Sequence, residues 1–268
     1  MKTHYKYIVL ILPFILSSCG INQVYTSASY GGLKGYTEKP IYNGEKVTAT
    51  YASGSLRNGV FPQTTNGIIA DDKVVSGNFL IHQSTSYKEF NYYYGLGGVL
   101  GNYKFNSDLE NLDSNLDNHF NKGDNLNFYN INAKAGASFK HTWSKVECHF
   151  IGVEFLYINE FGPYMDKLNS IKYTPSDVII GNLPSFFAFN LNTEFIFRVN
   201  NENNIGIGLY MGNVLLNVHQ RGRIRNQDTS IGGLTFKYNY KKFTLSAVGE
   251  SSTENIMSTH FGITYRIR

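Results

Sequence analysis

Cysteine is nearly absent from the 268 residues: only Cys19 and Cys148 occur. That excludes a disulfide framework of several bridges, and no cysteine or histidine spacing fits a zinc site. Proline is scarce, at 6 residues, and neither sign of charge dominates, with 24 Lys and Arg against 20 Asp and Glu. A formal net charge of +4 implies no global affinity for nucleic acid. Beyond the N-terminus no run approaches the roughly eighteen consecutive apolar residues that a membrane-spanning helix needs. No stretch keeps a long helical period, and no Gly-rich phosphate loop or paired-carboxylate signature appears. What the chain does have is glycine, at 26 residues, and aromatic side chains, at 15%.

The first eighteen residues are built in three parts. Lys2 and Lys6 bring positive charge, Tyr7 to Leu16 form an apolar run broken by Pro13, and Ser17-Ser18 lead into Cys19. Charge, a short apolar run and small residues, in that order, read as a secretory signal. Leu16-Ser17-Ser18-Cys19 followed by Gly20 resembles the lipobox of bacterial lipoproteins. The resemblance implies cleavage before Cys19 and acylation of its thiol, so residues 1–18 are a signal peptide. Removing Lys2 and Lys6 with it lowers the formal balance to +2. Cys148 stands alone in a strand-like stretch and reads as a small buried or lipid-facing residue.

The recurrent pattern of the mature chain is period two. From Phe187 to Val199, Phe187, Phe189, Leu191, Thr193, Phe195, Phe197 and Val199 share one face. Ala188, Asn190, Asn192, Glu194, Ile196 and Arg198 share the other. Tyr129 to Phe139 and Thr259 to Ile267 repeat the contrast. Alternating segments of about ten residues bounded by turns are the signature of transmembrane strands. A soluble sandwich alternates too, so loop lengths have to decide between them.

Ten strands are predicted, near 45–54, 73–83, 89–105, 128–141, 146–158, 186–199, 204–218, 230–239, 242–250 and 257–267. The gaps at 84–88, 142–145, 200–203 and 240–241 are short. Those at 55–72, 106–127, 159–185 and 219–229 are long. Tight turns alternating with long loops mark an antiparallel up-and-down transmembrane β-barrel, all-β, with short periplasmic turns and longer extracellular loops. An even strand count puts both termini on the periplasmic side. Ten strands leave room for side chains but not for a wide channel. Lys134, Lys140, Glu154, Glu194, Arg198, Lys237 and Arg266 fall on the lumenal face, where opposite charges are expected to pair. Glycines at 95, 97, 98, 101, 206, 208 and 212 mark bends or places where a large neighbour needs room. Residues 19–44, with Gly31, Gly32, Gly35, Pro40 and Gly44, form a tether between the lipid and the barrel at 45–268.

Lipobox, Asn/Tyr/Lys-rich composition and strand pattern together resemble the small outer-membrane barrel lipoproteins of Bacteroidetes. That resemblance is architectural and implies no named activity. No acidic run follows Cys19, as a Bacteroidetes surface-export signal has, and Gly20 replaces the aspartate of an enteric inner-membrane retention signal. By that analogy the lipid lies in the inner leaflet of the outer membrane.

Few residues suggest chemistry. His82 and Ser84 share a strand face and resemble the His-x-Ser pair of a lipid A deacylase. They fall at the periplasmic end of their strand, however, and lack an orienting acid. An interfacial histidine and a turn-capping serine are the expectation there. Arg221, Arg223 and Arg225 lie on the extracellular side, where guanidinium groups pair with phosphate or carboxylate. Either they contact lipopolysaccharide or an acidic partner, or they belong to a solvated hairpin loop. Asp108, Glu110, Asp113, Asp117 and Asp124 match no calcium-loop spacing. The aromatic residues of 159–185 either bind a partner or fold over the barrel mouth.

The expectation is a non-enzymatic outer-membrane lipoprotein, a scaffold or accessory subunit of an envelope complex. It has no metal or cofactor, and its partners are outer-membrane lipids and possible envelope proteins. Two alternatives stand beside it: a lipid-modifying barrel enzyme, and a lipid-anchored soluble barrel with its apolar face turned inward around a ligand.

Overall fold

The computed structural model describes residues 23–30, 36–41, 44–65, 68–106, 123–170, 178–181, 184–200, 202–220, 223–252 and 256–268. Side chains are not described for 23–24, 63–65, 68–70, 178–180, 215–220 and 223–229. The elements are β1 (Gln23–Tyr25), β2 (Val47–Thr65), β3 (Ile68–Tyr87), β4 (Phe90–Lys104), β5 (Asn125–Trp143) and β6 (Val146–Phe161). A short helix α1 (Pro163–Ser170) and β7 (Val178–Ile180) follow. The chain ends with β8 (Ser185–Arg198), β9 (Asn203–Gln220), β10 (Arg223–Tyr240), β11 (Phe243–Ser252) and β12 (Met257–Arg266).

Ten of these strands form a closed antiparallel ring. Each pairs with the next in sequence, β8 joins both β6 and β9, and β12 closes on β2 from Met257↔Val60 to Arg266↔Tyr51. Closure leaves the membrane-level strands without a free edge, so their backbone polar groups are satisfied inside the sheet. All ten predicted strands are present.

The faces fall as the alternation requires. Phe187, Leu96, Met211 and Phe261 are more than 60% exposed, whereas Glu154, His149 and Lys237 on the opposite faces are almost completely buried. Apolar residues outside and polar residues inside is the reverse of a soluble barrel. The alternative of an apolar ligand cavity is therefore corrected: that face points outward. The exterior aromatics gather at two levels. Near the short turns are the ring pairs Phe90–Phe139, Trp143–Phe150 and Phe243–Tyr265, and toward the other end Tyr129–Phe161, Phe155–Phe189 and Tyr157–Phe187. Two such girdles flank the apolar band of spanning barrels.

The short turns are as expected. Lys88, Ser144 and Lys241 each take positive φ at the first turn position. The other end differs from its prediction. Residues 55–65, 68–72, 219–220 and 223–229 are strand rather than loop, with pairing continuous to Thr65↔Ile68 and to Gln220↔Arg223. Pro62 and the polar residues around it read as loop. But β2 lies beyond its last β12 partner after Val60, where it is an edge strand that tolerates a missing N–H. The asymmetry thus survives as long hairpins at one end. The acidic stretch 108–117 lies outside the described residues.

Glycine makes room where side chains cross. A Cβ on Gly95 would come 2.6 Å from His82 Cβ, and one on Gly206 2.5 Å from Lys237 Cε. Gly208 has no comparable neighbour, its nearest atom being 3.3 Å away.

Candidate functional site

The lumen is filled by the chain's own N-terminal segment. Residues 25–30 and 36–40 are all buried, although only β1 within this region is regular structure. The segment begins at the long-hairpin mouth. There β1 pairs in parallel with β7, which bridges to β9 through Ile180↔His219. It ends at the opposite mouth, where Val47 opens β2 beside the last residues of β3. The C-terminus is also at that mouth, since Thr50 N donates to the Arg268 carbonyl at 3.0 Å. Val47 and Arg268, the two ends of the ring, thus share the short-turn mouth, whereas Gln23 lies at the long-hairpin mouth.

Two polar clamps hold this segment. In the upper lumen Glu160, fully buried, accepts from Ser27 Oγ at 2.7 Å, Ala28 N at 3.0 Å, Ser29 N at 2.9 Å and Ser29 Oγ. Opposite it, Arg57 donates from Nη1 to the Ala28 carbonyl and from Nη2 to the Tyr30 carbonyl, both at 2.7 Å. Asn130 adds a bond to Ser29 Oγ at 2.6 Å. An irregular backbone cannot satisfy its own polar groups, so the barrel wall supplies the partners.

The lower clamp is ionic. Lys39 lies 2.6 Å from Glu194, and Tyr36 donates to the same carboxylate at 3.0 Å. Lys237 bridges Glu38 at 3.1 Å and Glu194 at 3.3 Å. Lys134 donates to Thr37 Oγ1 at 2.9 Å, and His82 Nε2 meets the Glu38 carbonyl at 3.0 Å. Nearer the turns, Glu147 joins Lys140, His149 and Arg198 at 3.5, 3.0 and 3.4 Å. The bulge in β6 between His149 and Gly152 turns both Phe150 and Ile151 outward, while Glu147 and His149 stay buried. Of the predicted lumenal charges, Lys140, Arg198, Glu194 and Lys237 form ion pairs, and Glu194 and Lys237 pair with the tether's Lys39 and Glu38 as well as with each other.

An apolar cap closes the long-hairpin mouth. Gly162, at φ +106°, turns the chain from β6 into α1, and Pro163 occupies the first helical position, where its missing N–H costs nothing. Tyr164, Met165 and Leu168 form the buried face of this helix. Tyr164 stacks on Tyr103 at 4.4 Å, and Phe105, Phe61, Phe128 and Tyr25 complete the cluster. Burial pushes the Tyr164 phenol well above its ordinary value, so it remains a neutral donor to the Thr26 carbonyl at 2.8 Å. Of the two options for 159–185, this part folds over the mouth. One small cavity in the lumen, about 50 Å³, lies between Tyr36, Lys134 and residues of β2, β3 and β12.

The sequence-derived site residues fare unequally. His82 and Ser84 are lumenal, not interfacial: His82 stacks on Tyr51 with centroids 5.0 Å apart, and Ser84 accepts from Asn91 at 3.2 Å. Each bonds other groups, so no nucleophile–base pair forms. Arg223 and Arg225 sit in β10 opposite Gln220 and Val218, with side chains outside the described part. Arg221 and Cys19 lie outside the described residues altogether. Among the described residues no group of three or more His, Cys, Asp or Glu is placed to hold a metal ion. Glu160, Arg57 and the segment itself were not legible as a site.

No family model and no curated protein matches the chain. Among solved structures it is similar to the translocator domain of the autotransporter NalP from Neisseria meningitidis, at 9% identity and TM-score 0.42, covering 82% of this chain and 88% of that one. It is also similar to the β domain of the Bordetella autotransporter Brka, at 12% identity and TM-score 0.39, covering 81% and 98%. For Ail of Yersinia pestis the figures are 11% identity, TM-score 0.30, and 83% and 99% coverage. The fold assignment rests on the strand pairing itself.

Proposed function

We propose that the protein is a non-conducting outer-membrane β-barrel lipoprotein that serves as a scaffold or accessory subunit, meeting its partners at the long-hairpin end. The observation that carries this reading is the filled lumen. A channel needs a continuous aqueous path, and an enzyme needs an accessible cavity with reactive groups in reach of one another. Here residues 25–30 and 36–40 occupy the interior in ion pairs and hydrogen bonds, beside cavities of about 20 to 50 Å³. The apolar exterior with its two aromatic girdles supports placement in a membrane, and LSSC at 16–19 supports the lipid anchor.

The working surface is then the set of hairpins above the upper girdle, including the upper end of β10 with Arg223 and Arg225 and the neighbouring sequence position Arg221. Phosphate- or carboxylate-bearing partners fit this chemistry, lipopolysaccharide among them. Purified protein in planar bilayers is expected to give no steady conductance, and unboiled protein to migrate faster on a gel than boiled protein. Neutralising Arg221, Arg223 and Arg225 together is expected to reduce capture of lipopolysaccharide or envelope partners. His82→Ala with Ser84→Ala is expected to leave envelope lipid composition unchanged. A steady open pore, or a lipid change that tracks Ser84, would refute this function.

A further inference from the structure

The two ends of the barrel differ in charge. Among the described residues, the short turns and the chain at either end of the ring expose Lys46, Lys88, Lys145, Lys241, Lys242 and Arg268 against Glu45, Glu89 and Glu202. The ion pair within this rim, Lys241–Glu202, is loose at 3.9 Å and exposed on both sides. At the long-hairpin end the solvent-facing side chains described are balanced, with Lys73, Lys104 and Lys167 beside Asp71, Asp124 and Asp166.

Several of the surplus cations stand beside the membrane face rather than over the lumen. Lys88 Nζ is 5.4 Å from the ring centroid of Tyr87, and Lys241 Nζ is 5.2 Å from that of Tyr240. Both rings face outward and are exposed. Lys46 comes one position before Val47, which pairs with Ser86, and so stands at the level of Tyr87. Tyr240, Phe243 and Tyr265 are successive register partners across β10, β11 and β12, and Lys241-Lys242 is the turn directly beneath them. In the β5–β6 turn Lys145 follows Trp143, an exposed ring packed edge-on against Phe150. Each tight turn thus combines a cation with an outward ring. Such rings sit at the boundary between acyl chains and headgroups, and a lysine just beyond them reaches the headgroup layer.

We propose that the short-turn rim is a binding surface for anionic phospholipid headgroups. A phosphate diester with no cation of its own, as in phosphatidylglycerol, matches a rim with surplus lysine, whereas a zwitterionic headgroup brings its own counter-charge. In spanning barrels the short turns face the periplasm, so the lipid belongs to the leaflet on that side. The inference goes beyond the scaffold reading and depends only on the barrel's place in a membrane.

Trp143 is the chain's single tryptophan and lies in this girdle, which makes it a built-in reporter. The full chain is folded into vesicles of phosphatidylcholine and phosphatidylglycerol in which one or the other lipid is brominated on acyl carbons near the headgroup. Quenching of Trp143 then gives the relative association of the two lipids. Two further proteins move the reporter: Trp143→Phe with Phe243→Trp to the Lys241-Lys242 turn, and Trp143→Phe with Phe187→Trp to the upper girdle. Phosphatidylglycerol is expected to associate about threefold to fivefold more strongly at 143 and 243, the factor that one lysine supplies at an anionic surface, and equally with phosphatidylcholine at 187. Lys88→Gln with Lys145→Gln is expected to remove the preference at 143, and Lys241→Gln with Lys242→Gln that at 243, each barrel keeping its unboiled gel mobility. Equal quenching by the two lipids at 143 and 243, a preference as large at 187, or one that survives the lysine substitutions would overturn the proposal and leave the spanning barrel standing. No quenching by either lipid at any of the three positions would overturn the placement of the girdles in a membrane, and the proposal with it.

Discussion

Glu160→Ala isolates the upper clamp. The carboxylate takes four donors from three residues of the internal segment. The Ser27 and Ser29 hydroxyls can rotate toward other acceptors, and Ser29 N has Ser27 Oγ at 3.2 Å as a second partner. The Ala28 amide has no such recourse. An orphaned buried donor costs about 1–3 kcal/mol, and a bond to a charged acceptor contributes about 1.5–3 kcal/mol. With Ala28 stranded and Ser29 weakened, local opening of 27–30 becomes easier by roughly 3–4 kcal/mol, a factor of about 100–1000. Arg57 still holds the Ala28 and Tyr30 carbonyls, so the segment loosens without leaving the barrel. Hydrogen exchange in detergent reads this directly: protection at Ala28 and Ser29 is expected to fall by that factor, while β3 to β5 keep theirs. Glu160→Gln, which retains one acceptor oxygen, should fall between. Unchanged exchange at Ala28 and Ser29 would refute the clamp. A uniform loss across the strands would show instead that the segment is needed for the ring to stay closed.

Three further substitutions probe separate parts of the barrel. Gly95→Ala sets a methyl against His82 Cβ and the Ile81 carbonyl, whereas at Gly77 nothing lies within 4 Å. The first is expected to lower the unfolding midpoint in detergent by about 1–3 kcal/mol and Gly77→Ala to leave it within about 0.5 kcal/mol. Lys237→Met removes the bridge between Glu38 and Glu194 and strands part of a buried cluster; equilibrium unfolding is expected to show a loss of about 3–5 kcal/mol, with Lys39 limiting it toward the lower value. Leu96→Arg places a charge on the lipid face, where Leu96 is 68% exposed; a cost of about 2–4 kcal/mol is expected in refolding into bilayers if that residue lies near the midplane.

The ring was legible because alternation is a local property. Phe187 to Phe197 announces its two faces whatever its neighbours are, and the tight turns at 88–89, 144–145 and 241–242 separate the strands cleanly. Residues 23–41 carry no comparable signal. Gly31, Gly32, Gly35 and Pro40 exclude regular structure, and irregular backbone reads as linker wherever it runs. Its burial depends on Glu160, Arg57, Glu194 and Lys237, which lie more than a hundred positions away in sequence for three of the four. The lumenal charges were visible, but each was read as a partner for another wall residue, since nothing local assigns Glu194 to Lys39. The hairpins beyond the girdle were misread for a related reason: edge pairing in water tolerates Pro62 and polar runs that a fully buried strand would not.

A segment inside a closed ring also restricts the order in which the molecule can be assembled. Because residues 25–30 lie near one mouth and 36–40 toward the other, ahead of β2, they cannot be pushed in later past walls already packed with Tyr103, Tyr164 and Lys237. The seam between β12 and β2, which joins the two ends of the barrel sequence, must be the last to zip, and it must zip around the segment. The internal segment is then a mould about which the lumen forms, and its clamps at Glu160 and Glu194 would be settled before the barrel has a complete circumference.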